Sequence, residues 1–216
     1  MAKDGQMWLE LLGTPGQFEK AVLSSINDKF DKTIKKSIEA IERKVKVLVY
    51  DNIYSCNELD GLRGGSLRAE LGLTSKQASE ASNEIAETIS NSIVTQQGKN
   101  PQGIVVYIQP SDFRNVLGIK GSSVSYFSKT YKQNVKLEWL DWLINRGDEI
   151  IVDNFRFVPS SKGRTHGGRM KKGGSWRISP QYAGTQDDNF ITRALGESSQ
   201  KEIASIIEKE INKNWK

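Results

Sequence analysis

Residues 15–52, PGQFEKAVLSSINDKFDKTIKKSIEAIERKVKVLVYDN, decide the fold. Phe18, Val22, Ile26, Phe30, Ile34, Ile38, Ile41, Val45 and Leu48 recur mostly four apart, with threes entering toward the end, which draws one apolar stripe along a helix. Charges of both signs, among them Asp28, Lys29, Asp31, Lys32, Glu39 and Arg43, fill the opposite face. Thr14 stands where an N-cap belongs, Pro15 suits the first helical position, and Gln17 completes a Thr-x-x-Gln capping box. The spacing predicts a helix over 14–52, about 55 Å long at about 1.5 Å per residue, which is more than a chain of this size needs to span its own core. Either part of the stripe packs against something beyond that core, or the helix breaks near Val45, where Val45, Val47 and Val49 also read as a strand.

Working outward, 62–73 (LRGGSLRAELGL) reads as a Gly-containing connection, followed by a second helix over 75–95 with Thr74 as cap and Gln77 at the box position. Ala78, Ala81, Ile85, Ile89 and Ile93 line its apolar side. A polar loop over 96–103 leads to a buried strand at 104–109 (IVVYIQ), then a short turn of helix capped by Ser111 and an irregular stretch over 118–134. A short helix at 137–144 (LEWLDWLI) brings two tryptophans to the core. Residues 148–158 (DEIIVDNFRFV) read as a hairpin turning at Asp153-Asn154, and 175–178 as a returning strand, so that a small sheet over 104–178 carries a long loop at 160–174. Helices over 185–215 close the chain: Thr185 caps the first, Gly196 interrupts, and Ile203, Ile206, Ile207, Ile211 and Trp215 give the last one an apolar face. The expected class is α+β in one structural domain over 1–216: a long amphipathic N-terminal helix, a small mostly antiparallel sheet with a protruding basic Gly-rich loop, and a C-terminal helix.

Charge is concentrated in one place. Residues 154–186 contain no Asp or Glu and carry Arg156, Lys162, Arg164, Arg169, Lys171, Lys172 and Arg177, a local +7 within a chain whose net charge is +5, which leaves −2 for everything else. The centre of that stretch, SSKGRTHGGRMKKGG at 160–174, holds five glycines. Glycine raises the entropy cost of ordering and like charges repel, so the arm is expected to stay mobile until an outside surface fixes it. Lys162, Arg164, Arg169, Lys171 and Lys172 are the residues expected to meet that partner, either a phosphate backbone or an acidic protein surface.

Catalysis has little to stand on. His166 is the one histidine of the chain and lies in the Gly-rich arm, away from the rigid elements that catalytic groups need. Cys56 is the one cysteine, which excludes an internal disulfide framework and a cysteine-rich zinc site and leaves a small, partly buried hydrophobe in a reducing compartment. Glu138, Asp141, Asp148, Glu149, Asp187 and Asp188 follow no metal-nuclease spacing, and neither phosphate-loop nor dinucleotide fingerprints occur. No catalytic residue, metal or cofactor is expected. No apolar run approaches the ~20 residues of a membrane span, and the first residues, MAKD, do not lead into a signal-peptide core, so neither membrane contact nor Sec export is expected.

Two passages stand apart: Gly-Leu-Arg-Gly-Gly-Ser-Leu-Arg at 61–68 and Ala-Gly-Thr-x-x-x-Asn-Phe-Ile-Thr-Arg-Ala-Leu at 183–195. With a long first helix ahead of them and a looped sheet between them, they resemble the neck, head–tail connector and tail-completion proteins of tailed bacteriophages. The resemblance implies a non-enzymatic virion protein, assembled in the host cytoplasm as a ring of six or twelve copies in the neck. Its partners would be copies of itself, the adjacent connector or tail proteins, and DNA in the channel. It also implies architectural, assembly-related roles for Leu62, Arg63, Asn189, Phe190 and Arg193. The alternative is a nucleic-acid-binding protein that uses the arm at 160–174.

Overall fold

The first helix does not break. In the computed structural model, which describes residues 15–98, 103–110, 112–128, 132–163 and 165–215, α1 runs uninterrupted from Pro15 to Tyr54. Ile34, Ile41, Val45, Val49 and Ile53 are fully buried while Val47 is 59% exposed. Helical periodicity, with Val47 on the opposite face from Val45 and Val49, therefore replaces the strand alternative. The Thr14 cap lies outside the described residues.

The connection at 62–73 is more ordered than expected. It forms two short helices, α2 (Asn57–Gly64) and α3 (Ser66–Glu70), separated at Gly65. Helix α4 (Ser75–Asn91) has the predicted cap: the Thr74 hydroxyl accepts from Gln77 N–H at 3.3 Å and the Gln77 side chain accepts from Thr74 N–H at 3.0 Å. It ends four residues short of the predicted Thr95 because the chain turns into β1 (Val94–Gln97), which pairs antiparallel with β2 (Ile104–Tyr107). The 96–103 loop is thereby shortened, and the second strand is half exposed instead of buried, since Val105 and Tyr107 face outward. Thr95 N–H donates to Glu42 Oε2 at 2.9 Å, which ties this ribbon to α1.

Further corrections follow the same pattern of local pairing. Helix α5 (Arg114–Leu117) is the short turn expected, with Ser111 outside the described residues, but the stretch read as irregular holds a 3-10 turn at Lys120–Ser122 and a second ribbon, β3 (Val124–Ser128) with β4 (Gln133–Leu137). Helix α6 is Trp139–Asn145, with Trp139 fully buried and its Nε1 donating to Gly121 O at 2.9 Å. The third ribbon joins β5 (Val152–Pro159) to β6 (Gly168–Trp176). The single small sheet is thus three separate two-stranded ribbons; β1–β2 leans on α1 and β6 on α3, as two strands alone bury too little to stand by themselves.

The chain ends in α7 (Phe190–Ala194) and α8 (Glu197–Asn214). Asn189, not Thr185, caps α7, its side chain accepting from Ile191 N–H and Thr192 N–H at 3.0 and 3.2 Å. Helix α8 lies along α1: Ser37 Oγ donates to Glu210 O at 3.2 Å, and Lys44 Nζ donates to the buried Glu210 carboxylate at 2.5 Å. Phe30 meets Trp215 edge-on at the end of this pair, with ring centroids 5.9 Å apart. The main core is the volume enclosed by α1, α2, α4, α6 and α7.

Two carboxylates at the α1 seams have depressed pKa values. The hydrogen bond from Lys44 holds Glu210 below the ordinary carboxylate range against the opposing effect of burial, and the Lys46 side chain together with Thr95 N–H does the same for Glu42. A depressed folded-state pKa stabilises above the unfolded value and loses that contribution as pH falls through the folded one. Thermal stability should therefore decline as pH drops below about 4, where unfolded carboxylates begin to bind protons that the folded ones resist. Glu42→Gln/Glu210→Gln should flatten that acid limb, as read from melting temperature against pH; an unchanged limb would place the acid sensitivity elsewhere.

Candidate docking ribbon and the joint behind it

The second half of the basic arm is a strand. Of the residues expected to form a mobile loop at 160–174, those from Gly168 onward belong to β6, with Phe155 opposite Lys172, Arg156 opposite Lys171, Phe157 opposite Met170 and Val158 opposite Arg169. Backbone pairing needs no particular side chain, so a glycine- and lysine-rich segment becomes a strand when a β-prone partner, here VDNFRFVP, supplies the ladder. Asn154 does adopt the left-handed conformation that its turn signal promised, with φ 59°, but the ribbon uses it in a bulge opposite Gly173 and Gly174, at φ 98° and 85°. The hairpin tip falls instead between Pro159 and Gly168.

Strand alternation sorts the ribbon's side chains. Arg156, Val158, Arg169 and Lys171 share one face; Phe155, Phe157, Met170 and Lys172 share the other. Lys162 sits exposed at the tip, while Arg164 lies outside the described residues. Arg156, Lys162, Arg169, Lys171 and Lys172 are all exposed, and none enters an ion pair among the described residues. Directly opposed like charges weaken a ribbon, so the Arg156–Lys171 pair is a standing cost that an anion placed over it would relieve. Phe155 is 41% exposed and Met170 37% exposed, which leaves an apolar strip on the second face. The ribbon is anchored at both ends: Trp176 is buried edge-on to Trp142 with centroids 5.8 Å apart, and at the tip a Cβ on Gly167 would overlap Ala69 of α3.

Of the five residues expected to be architectural, Leu62, Asn189, Phe190 and Arg193 lie in or against the core where α2 meets the 182–195 passage, and Arg63 turns back onto the end of α1. Leu62, Asn189 and Phe190 are fully buried. Arg63 donates to Tyr54 O at 2.7 Å, and its guanidinium lies 4.0 Å from the Tyr54 ring centroid. Arg193 reaches across 135 positions to Glu58 at 2.6 Å and also bonds Asp188 at 2.9 Å. Helix α2 approaches so closely that a Cβ on Gly61 would stand 2.9 Å from the Tyr182 hydroxyl; separately, a Cβ on Gly184 would stand 2.7 Å from both Leu143 O of α6 and Asn189 Cβ. Glu58 and Tyr182 carry no sequence signal for this role; their partners lie far away along the chain.

Removing Arg193 would leave the nearly buried Glu58 carboxylate unpaired. Breaking a fully buried pair costs about 3–5 kcal/mol, and the partial exposure of Arg193 lowers that to about 2–3 kcal/mol. Arg193→Ala should accordingly melt about 5–10 °C below the parent. A melting curve that coincides with the parent's would reduce this ion pair to an ordinary surface contact.

Other groups offer little chemistry. Cys56 lies beside a shallow depression of about 220 Å³ shared with Asn52, Ser199 and Glu202, and burial pushes its thiol up to about 11, leaving it protonated at neutral pH. His166, at φ 55°, has Nδ1 3.4 Å from Ser161 O. Among the described residues no His, Cys, Asp and Glu cluster could hold a metal, and no helix is long and apolar enough to cross a membrane. Comparisons with family models, with curated proteins and with solved structures found no match.

Proposed function

We propose that this chain is a non-enzymatic structural subunit of a bacteriophage head–tail connection, a neck, connector or tail-completion protein that forms a homo-oligomeric ring and docks through its basic ribbon. The observation that supports the reading is that the fold brings the two passages resembling the family, 61–68 and 183–195, side by side: Gly61 of the first meets Tyr182, the residue just before the second, and Arg193 of the second pairs with Glu58, three residues before the first. A likeness resting on two loose motifs would be weaker than one resting on two halves of a single packed unit. Leu62, Arg63, Asn189, Phe190 and Arg193 then shape the subunit from within, and the contact with neighbours falls to exposed elements such as the ribbon.

Ring order in this reading is six or twelve, the partners are other copies and the adjacent head–tail proteins, and the site of residence is the virion neck after assembly in the host cytoplasm. Closing heterologous contacts give such rings. Negative-stain microscopy of the purified protein, alone and against intact virions decorated with an antibody to it, tests the proposal. Rings or label at the neck support it; a protein that forms no ring and labels no virion would sink it.

The second reading, nucleic-acid binding through Lys162, Arg164, Arg169, Lys171 and Lys172, has one specific observation in its favour. Arg156, Arg169 and Lys171 share one exposed face without acidic partners, next to an aromatic strip on the other. Such a face neutralises phosphates, and DNA running through a neck channel would satisfy both readings.

A further inference from the structure

Helix α1 stands clear of the body over 19–29, where every residue is exposed. Val22, Leu23 and Ile26 are 47, 52 and 49% exposed there, continuing the stripe that is buried from Ile34 onward. The apolar surface does not stop at the helix: it runs on through the half-buried Phe30 to Trp215, which is 38% exposed. Three large aliphatic side chains on a free helix, continuous with an exposed tryptophan, make a patch of the kind that monomers seldom leave uncovered.

The charges around the patch say what covers it. Glu19 lies one turn before Val22 and Lys29 one turn after Ile26, and the neighbouring Lys20 and Asp28 repeat the opposition with signs reversed, so each flank carries both signs in an order that mirrors the other. A second copy laid parallel would set Glu19 against Glu19 and Lys29 against Lys29. Laid antiparallel, with residue 24 at the two-fold axis, it sets Val22 over Ile26 and Glu19 against Lys29 at both ends of the seam. Glu19 and Lys29 enter no ion pair among the described residues, although Lys29 Nζ lies 5.2 Å from the Trp215 ring centroid.

We infer that the projecting turns of α1 are a self-association surface, where two copies pair antiparallel through Val22, Leu23 and Ile26 with reciprocal Glu19–Lys29 contacts. The contact is isologous and closes at two. It does not rest on the ring reading: in a ring it would join two rings face to face, and outside one it would make a free dimer. The seam spans roughly 15 Å of helix, well short of a standard interface, so the free dimer should be weak, with a dissociation constant on the order of 10–100 μM.

Sedimentation equilibrium of the full chain over about 1–500 μM tests this. The wild type should show a two-fold mass step, and Ile26→Asp should abolish it without lowering the melting temperature, because Ile26 is exposed in the single chain. Glu19→Lys and Lys29→Glu should each weaken pairing about five- to tenfold, and Glu19→Lys/Lys29→Glu together should restore it. Restoration is specific to the antiparallel register, since a parallel pair would keep like charges opposed in the double variant. A wild type that stays at single-chain mass throughout, as it would if 1–14 (MAKDGQMWLELLGT) covered the patch, would overturn the inference. So would a mass step that survives Ile26→Asp, or a double variant no better than the single ones.

Discussion

Val45→Asp should leave the chain unable to fold, while Val47→Asp, two residues away, should melt within about 2 °C of the parent. Val45 is fully buried between α1 and the elements packed on it, and Val47 is 59% exposed. A carboxylate at Val45 would be buried with no cation provided for it, so it must either be desolvated or be protonated, at a cost of several kcal/mol on top of the packing lost with the isopropyl group. Against a total stability of about 5–15 kcal/mol for a domain, that loss removes most of the folded population. Val49→Asp should behave like Val45→Asp. The three-residue series is decisive because a strand would put 45, 47 and 49 on one face and make the substitutions equivalent, whereas a helix separates the middle one. Soluble expression and circular dichroism melts of the three variants supply the comparison; equal behaviour of all three would mean that α1 does not continue through this segment.

That ambiguity shows where the sequence was legible. The stripe of α1 and the Thr74/Gln77 box of α4 are local signals, complete within a few turns, and both appear in the structure as read. The ribbons were not local. Val94–Gln97 (VTQQ) has one apolar residue in four, and Gly168–Trp176 (GRMKKGGSW) has the composition of a flexible loop; each becomes a strand because another segment pairs with it. The pairing of the arm from Gly168 onward follows from Phe155, Phe157 and Val158 across the ladder, and no property of 160–174 alone could have announced it. The joint was half legible. Leu62, Arg63, Asn189, Phe190 and Arg193 stood out by their passages, but the fact that Arg193 ends on Glu58 is a tertiary contact between residues 135 apart, and Glu58 reads in the sequence as one more acidic residue near a helix start. The unburied length of α1 was visible as an excess of helix over core, and the structure locates that excess at the N-terminal end, where Val22, Leu23 and Ile26 remain exposed.

Replacing Lys162, Arg164, Arg169, Lys171 and Lys172 with glutamine should abolish docking while leaving the isolated subunit at least as stable as before. The described residues of this set are exposed and form no ion pairs, so their removal takes nothing from the core, and relief of the Arg156–Lys171 opposition should stabilise the ribbon by about 0.2–1 kcal/mol. If the ribbon docks on a protein neighbour, head–tail joining by the variant should fail in vitro although the subunit melts at or slightly above the parental temperature. If the ribbon instead binds nucleic acid, the wild type should show an affinity for duplex DNA that falls with a log–log slope of about 0.9 per phosphate contact. Five contacts correspond to a loss on the order of 10²–10³-fold between about 50 and 200 mM salt, and the variant should lose nearly all of that affinity and its slope. The two outcomes separate because protein docking depends on the shape of the tip held against Ala69 as well as on charge, whereas phosphate binding counts charges. Inserting one residue at the tip, which leaves the charge unchanged and displaces Gly167 from Ala69, should therefore damage head–tail joining and spare DNA affinity. Steep salt-dependent DNA binding by the wild type, combined with normal joining by the glutamine variant, would reverse the order of the two readings.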